Sequence, residues 1–231
     1  MTKILRISLL AGLALGATAL TAEAQAAKTF GVVAGVGIAS WTGSDAEGGS
    51  FIDPSLGAGS LSKSSLVGFT GGFYANIPVG TSLVFEPELL YAGKGVKYDA
   101  SLTDPLLGTL SGAVNISMGY IEIPLLLRYN FQASGGPYLL LGPEVAFSIS
   151  CSGSGSGDFG GSSTDCPSNF ENSVTFGGVG GLGFQRQKFG LEVRYDFDFG
   201  NALQEIDTGL GMVQPNIKNA AWQILLRYQF K

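Results

Sequence analysis

Two carboxylates in one strand-like segment are the first candidates for chemistry. Glu86 and Glu88 are two residues apart, so a β-strand would hold both side chains on one face, about 7 Å apart. Carboxyl pairs at such separations act as acid and base in glycoside hydrolysis. The competing interpretation is a structural network of ion pairs. The elements that position the two residues decide between these interpretations.

A glycine motif and a glycine-serine segment are two further candidates. Residues 178–183 have the G-x-G-x-x-G spacing of a dinucleotide-binding turn, which needs a strand before it and a helix after it. Here a turn and another alternating segment follow, so we interpret these glycines as strand positions where side chains crowd a narrow interior. Segment 153–165 contains two aspartates but lacks the repeat of a calcium-binding motif, and we interpret it as a surface loop.

Cys151 and Cys166 flank this loop. In an oxidising compartment, a disulfide that closes about 15 residues stabilises the fold by about 3 kcal/mol, through the entropy lost by the unfolded chain. A metal or redox centre would need more ligands or closer cysteines. We therefore predict a structural disulfide between Cys151 and Cys166.

The composition excludes several classes of site. The 231 residues include no histidine, which excludes His-based catalytic triads and His-ligated zinc or haem. Two cysteines cannot form a four-thiolate zinc site, and a net charge of −5 opposes nucleic-acid binding. No cofactor or metal is expected. Charged residues make up only 13% of the chain, beside 36 glycines and 15 phenylalanines, which is typical of a membrane β-barrel.

The N-terminal segment has the three parts of a secretory signal peptide. Lys3 and Arg6 precede an apolar run over 7–20, and alanines follow at 22, 24 and 26. The apolar run is shorter than a membrane-spanning helix requires. We expect residues 1–26 to be cleaved, with cleavage after Ala24 as the alternative, and residues 27–231 to form one exported domain.

The rest of the chain alternates apolar and polar residues with a period of two, as β-strands do. Eight segments carry the pattern, and each could cross a bilayer as a tilted strand. They are 29–41, 66–77, 82–96, 114–131, 137–149, 174–185, 189–199 and 221–230. The connections 78–81, 132–136 and 186–188 are short, whereas 42–64, 97–113, 150–173 and 200–220 are long. This alternation of short turns and long loops is typical of an outer-membrane barrel.

Charged and apolar residues separate onto opposite faces of these segments. On five of them, every charged residue lies on the face opposite the aliphatic and aromatic residues. A lipid-facing charge costs about 2–4 kcal/mol at the bilayer midplane, so we assign the charged face to the barrel interior. The predicted interior network comprises Glu86, Glu88, Glu122, Arg128, Glu144, Glu192, Arg194, Asp196, Asp198 and Arg227.

This network has more acids than bases. Seven carboxylates face three arginines, so we expect either protonated carboxyl groups or pairing through Lys94 near the rim and trapped water. Side chains fill the interior of an eight-stranded barrel and leave no room for a sugar. The ion-pair interpretation of Glu86 and Glu88 is therefore favoured.

Aromatic residues near the segment ends are candidates for two interfacial girdles, where amphipathic rings meet lipid headgroups. The predicted lipid-interface residues are Trp41, Tyr91, Tyr129, Phe131, Phe199, Trp222, Tyr228 and Phe230.

Several segments resemble a known family. EPELLYAGKG at 86–95, YIEIPLLLRYNF at 120–131 and PYLLLGP at 137–143 look like strands of the outer-membrane β-barrel family often labelled "porin family protein". The strand around Arg194 and the C-terminal LRYQF at 226–230 are similar as well. The resemblance covers nearly the whole mature chain. It implies an all-β, eight-stranded antiparallel up-and-down transmembrane β-barrel in a Gram-negative outer membrane, and it transfers no catalytic or ligand residue.

Outer-membrane lipid and the barrel-assembly machinery are the expected partners. The machinery reads a C-terminal strand that commonly ends in an aromatic residue, whereas here Lys231 follows Phe230. No ligand of the loops can be named from the sequence.

A non-enzymatic outer-membrane barrel is the function that these patterns favour, with a structural or adhesion-type role through four long extracellular loops. The alternative is a narrow pore for small solutes. A barrel enzyme would lack the histidine that such enzymes use, and a lipocalin-like periplasmic carrier is a further alternative.

Overall fold

The computed structural model describes residues 28–47, 50–53, 57–104, 108–132, 135–158, 161–167, 170–204, 206–207, 212–213 and 215–230. The predicted signal peptide and Lys231 lie outside these residues. The strands are β1 Thr29–Thr42, β2 Ser50–Asp53, β3 Gly57–Pro78, β4 Leu83–Asp104, β5 Gly108–Asn130, β6 Gly136–Gly157, β7 Ser162–Asp165, β8 Val174–Arg186, β9 Phe189–Asp198, β10 Ile206–Asp207, β11 Met212–Val213 and β12 Lys218–Gln229. In the described part of the chain, no helix has the length and apolarity to cross a membrane.

Eight of the strands close into a ring. β1, β3, β4, β5, β6, β8, β9 and β12 follow one another around it, each antiparallel to its neighbours. β1 closes the ring because Val33 lies opposite Arg227 on one side and Gly72 on the other. The predicted eight-stranded antiparallel barrel is confirmed. β2 and β7 extend the sheet beside β3 and β6, and β10 pairs with β11.

The two ends of the barrel differ in their connections. At what we call the turn end, short segments join β3 to β4, β5 to β6 and β8 to β9. The last of these turns consists of Gln187 and Lys188, and Gln187 has a φ of 55°, as a two-residue hairpin turn requires. At the opposite end, the loop end, β4 and β5 are joined, and longer connections follow β1, β6 and β9.

Four strands continue far beyond their apolar segments. β3, β4 and β6 have 22 residues each and β5 has 23, so parts of the predicted loops 42–64 and 150–173 are strand. The predicted loop 97–113 is wrong, because residues 97–104 and 108–113 belong to β4 and β5 and pair with each other, with Asp104 opposite Gly108. The apolar pattern ends where the lipid face ends, whereas backbone pairing needs no apolar face. We call 57–66, 97–104, 108–117 and 150–157 the ridge.

Side chains of the ring strands alternate between the two faces of the sheet. In β12, Ile224 and Leu226 are exposed, whereas Leu225 and Arg227 are buried. The exposed apolar side chains between the turn end and the ridge form a continuous surface, which we call the apolar belt. Its members on successive ring strands include Val36, Phe73, Leu89, Leu125, Leu141, Phe176, Leu191 and Leu226.

Candidate functional site

The ten charged residues predicted for the interior network all lie inside the ring, and none is more than 6% exposed. Together with Lys94, they form two layers along the barrel axis. The arginine layer, toward the turn end, comprises Glu86, Glu88, Arg128, Glu192, Arg194 and Arg227. The lysine layer, toward the loop end, comprises Lys94, Glu122, Glu144, Asp196 and Asp198.

The arginine layer is a set of close ion pairs. Arg194 forms a bidentate pair with Glu88, at 2.5 and 2.7 Å, and its Nε donates to Glu192 at 2.6 Å. Arg227 donates to Glu86 at 2.7 Å and also contacts Glu192. Three guanidinium groups thus balance three carboxylates. Glu86 and Glu88 accept hydrogen bonds from arginines, which supports the structural interpretation of this pair.

Two tyrosines cover the arginines and pack against glycines. The Tyr138 ring centroid lies 3.6 Å from Arg128 Cζ, and the Tyr74 ring lies 3.7 Å from Arg227 Cζ. A Cβ atom on Gly183 would collide with the Tyr138 ring. The last glycine of the G-x-G-x-x-G motif therefore makes room for an aromatic ring, and β8 passes through the motif without a following helix.

Lys94 is the centre of the lysine layer. Its Nζ lies 2.7 Å from Glu122 Oε1, 2.7 Å from Asp196 Oδ2 and 3.7 Å from Glu144 Oε1. Because Lys94 is only 2% exposed, the prediction that it lies near the rim is wrong. It shares the inward phase of Glu88 on β4, and this strand continues well past it.

Neutral side chains complete the lysine layer. Asn219 Nδ2 donates to Asp198 at 3.0 Å and to the Tyr120 hydroxyl at 3.1 Å. Gln223 Nε2 donates to Asp196 at 3.4 Å. Four carboxylates share one ammonium group here, so the excess of interior carboxylate that the sequence shows lies in this layer.

Three of these carboxylates have the spacing of a cation site. Oxygen atoms of Glu122, Glu144 and Asp196 all lie within 4.8 Å of one another. The Lys94 ammonium contacts two of the three, and it would repel a metal ion placed among them. The positive charge among these carboxylates is therefore the ammonium group of Lys94.

An apolar cluster closes the interior at the loop end. This cap cluster comprises Trp41, Ala46, Val96, Met118, Tyr120, Ala146, Cys151, Leu203 and Ile217. Trp41 is 3% exposed and packs edge-to-face on Tyr98, so its predicted place at the lipid interface is wrong. β1 has no charged residue to indicate its inward face, and that face carries Val33, Ala39 and Trp41. Burial raises the pKa of Tyr98, whose hydroxyl donates to the Ala46 carbonyl at 2.7 Å.

A polar cleft of about 340 Å³ opens at the turn end. Asn76, Asn130, Gln185 and Gln229 line it, and Arg128 lies on its inner side. Arg128 donates from Nε to Asn130 at 2.8 Å and lies 3.5 Å from a Glu86 oxygen, so the cleft ends at the arginine layer.

The apolar belt shows what surrounds the barrel. Val67 and Leu141 are each 68% exposed, and soluble proteins rarely expose apolar surface of this extent. Residues 23–204 match the family described as outer membrane protein beta-barrel domain. The chain belongs to this family. It is therefore an outer-membrane barrel, whose apolar belt faces lipid and whose charged layers face inward. None of the curated proteins compared with the chain matches it.

Several solved structures are similar to this chain at low sequence identity. Neisserial surface protein A is 14% identical, with 88% of this chain and 99% of that chain covered and a TM-score of 0.46. The outer membrane protein OprG from Pseudomonas aeruginosa is 15% identical, with 88% and 96% covered and a TM-score of 0.44. Ail, the attachment invasion locus protein of Yersinia pestis, is 12% identical in its complex with the heparin analogue sucrose octasulfate, with 88% and 99% covered and a TM-score of 0.41.

The other predicted interface aromatics lie on the outer face of this outer-membrane barrel: Tyr91, Tyr129, Phe131, Phe199, Trp222, Tyr228 and Phe230. Near the turn end, the Tyr129 and Phe131 rings pack edge-to-face at 5.3 Å. At the loop end of β9, Phe197 and Phe199 do the same at 5.2 Å. Their membership of two girdles stays a prediction.

The predicted disulfide between Cys151 and Cys166 is confirmed, with the two Cα atoms 5.3 Å apart. The Cys166 N–H also donates to the Cys151 carbonyl at 3.1 Å. Part of the predicted glycine-serine loop is the short strand β7, which pairs with β6 at the edge of the ridge. The disulfide holds Cys166, the residue directly after β7, against β6.

Sequence reasoning missed several interior residues, namely Tyr74, Tyr120, Tyr138, Asn219 and Gln223. A signal was present, because Tyr138 has the phase of Glu144, Tyr120 that of Glu122, and Gln223 that of Arg227. Once the charged residues show which face of a strand points inward, the same alternation of side chains identifies the uncharged polar residues on that face.

Proposed function

We propose that this chain is a non-conducting, non-enzymatic outer-membrane barrel that presents its ridge outside the cell as a binding surface of the adhesion type. The observation that supports this proposal most directly is that side chains fill the interior of the barrel. The arginine layer, the lysine layer and the cap cluster follow one another along the axis, and Arg194, Lys94 and Trp41, one from each, are at most 3% exposed.

The shape of the loop end supports the binding role. Paired strands form a rigid scaffold, and the disulfide holds β7 against it. Recognition residues are commonly placed on such scaffolds. A purely structural envelope barrel would need no such extension above the lipid.

Conductance tests the first half of this proposal. We expect purified protein in planar bilayers to give no discrete openings, with a general porin as the positive control. Reproducible single-channel steps would instead favour the alternative, a narrow pore. The turn-end cleft is the observation that favours this alternative, because a pore could begin there.

A shortened ridge tests the second half. Ala100 and Gly112 lie opposite each other in the β4–β5 hairpin, so an Asn-Gly turn can replace residues 101–111 without changing the register below. Cells that express this variant should lose adhesion to epithelial monolayers and matrix-coated surfaces, while the barrel keeps its heat-modifiable gel migration. Undiminished adhesion at equal expression would contradict the role of the ridge.

A further inference from the structure

Small hydroxyl side chains make up much of the outer face of the ridge. Ser60, Ser62, Ser101, Ser111 and Ser156, from four neighbouring strands, line a shallow cleft of about 410 Å³. The hydroxyl oxygens of Ser60 and Ser101 lie 2.7 Å apart. The face therefore offers closely spaced donors and acceptors on a surface that has little bulk.

This face continues the lipid-facing surface. On β4, Leu89 and Tyr91 belong to the apolar belt, and Asp99 and Ser101 follow in the same phase within one strand. At about 3.4 Å per residue and a tilt of about 40°, the stretch from Tyr91 to Asp104 rises roughly 30 Å above the belt. The same face that contacts the acyl chains of the surrounding lipid therefore passes the headgroups of that lipid.

The charges near the ridge argue against phosphate as the group contacted. Lys97 Nζ lies 2.9 Å from Asp99 Oδ1, and Lys63 Nζ contacts Glu47 and donates to the Trp41 carbonyl. Proteins bind phosphate through arginine and lysine side chains, which here are already paired with carboxylates. Serine hydroxyls both donate and accept hydrogen bonds, which matches the hydroxyl groups of a sugar.

We propose that the outer face of the ridge binds the neutral saccharide portion of the glycolipids that surround the barrel in the same outer leaflet. This inference rests on the proposed outward orientation of the loop end. Hydrogen bonds from the serines would hold the barrel among these glycolipids and leave the tip of the ridge free for a partner.

The test uses two glycolipids with the same acyl chains and phosphates, one with its core oligosaccharide and one without. The detergent-solubilised protein is mixed with equal amounts of both, and native mass spectrometry measures the bound species. We expect a preference of roughly tenfold for the saccharide-bearing form, from a few hydrogen bonds between neutral groups. Substitution of valine at Ser60, Ser101, Ser111 and Ser156 should abolish it.

The matched control places valine at Ser162, Ser163 and Thr164 of β7, which are exposed at a similar height, and should keep the preference. Heat-modifiable migration verifies that each variant folds. Equal binding of the two glycolipids, or an unchanged preference in the serine-to-valine variant, would overturn the proposal. A preference that disappears when the phosphates are removed would overturn it as well.

The orientation is measured separately. A membrane-impermeant maleimide added to intact cells should label a Thr109→Cys variant, because Thr109 is exposed in the ridge, and labelling only after cell lysis would refute the outward orientation itself. A failure of saccharide binding can thus be told apart from a failure of the proposed function.

Discussion

Replacing Arg194 with methionine should be the most damaging change in the arginine layer. Among the described residues, Arg194 is the partner of Glu88, at 2.5 and 2.7 Å, whereas Glu192 also contacts Arg227 and Tyr138. The substitution therefore leaves the Glu88 carboxylate buried without a counterion. Removing one partner of a buried ion pair costs about 3–5 kcal/mol, or roughly a 100- to 4,000-fold change in the unfolding equilibrium.

The measurement is urea unfolding in phospholipid vesicles, followed by tryptophan fluorescence and by heat-modifiable migration. Lys188→Met removes an exposed positive charge at the β8–β9 turn and should change the free energy of unfolding by less than about 0.5 kcal/mol. The double variant Arg194→Met with Glu88→Met should recover most of the loss, because apolar side chains of similar volume can replace a buried pair.

Two results would refute this reasoning. One is an Arg194→Met variant within about 1 kcal/mol of the Lys188→Met control. The other is a double variant no more stable than the single one, since the penalty would then not come from the unpaired charge on Glu88.

Three further predictions concern the faces of the barrel and its disulfide. Leu125→Arg, in the apolar belt of β5, should lower the free energy of unfolding by about 2–4 kcal/mol, whereas Thr109→Arg, in the ridge part of the same strand, should leave it nearly unchanged in the same urea titration. In single-tryptophan variants, brominated lipid should quench Trp222, which is 57% exposed, and leave Trp41 unquenched; equal quenching would contradict the inward placement of Trp41. Cys166→Ser should leave heat-modifiable migration intact but increase protease cleavage within 158–167, because the disulfide holds only the edge of the ridge.

The interior network could be predicted from the sequence because charged residues show which alternate side chains of a strand point into the barrel. Glu86 and Glu88 lie on one face of β4, and Glu192 and Arg194 lie on one face of β9, so one rule about lipid-facing charge places all of them inside. The pairing of Arg194 with Glu88 could not be predicted, because these residues lie on strands that are not neighbours in the ring and meet only across the closed interior.

Where a strand carries no charge, its phase was not determined by the sequence. Trp41 stands near the end of β1, a position that suits an interface aromatic, yet the register of β1 with β3 and β12 turns it into the cap cluster. The position of Lys94 along the barrel axis could not be predicted either, because it depends on how far β4 continues toward the loop end. The apolar pattern does not indicate the length of β4.

The sequence alone determined the class of protein, the number of ring strands and, for the strands that carry charged residues, the face that meets lipid. These follow from a local rule, because adjacent side chains of a strand point to opposite sides and a bilayer tolerates charge on only one of them. The tertiary structure alone decided which charges pair, what closes the loop end and how far the ridge extends. Those properties depend on strand register and ring closure, which bring together residues that are distant in sequence.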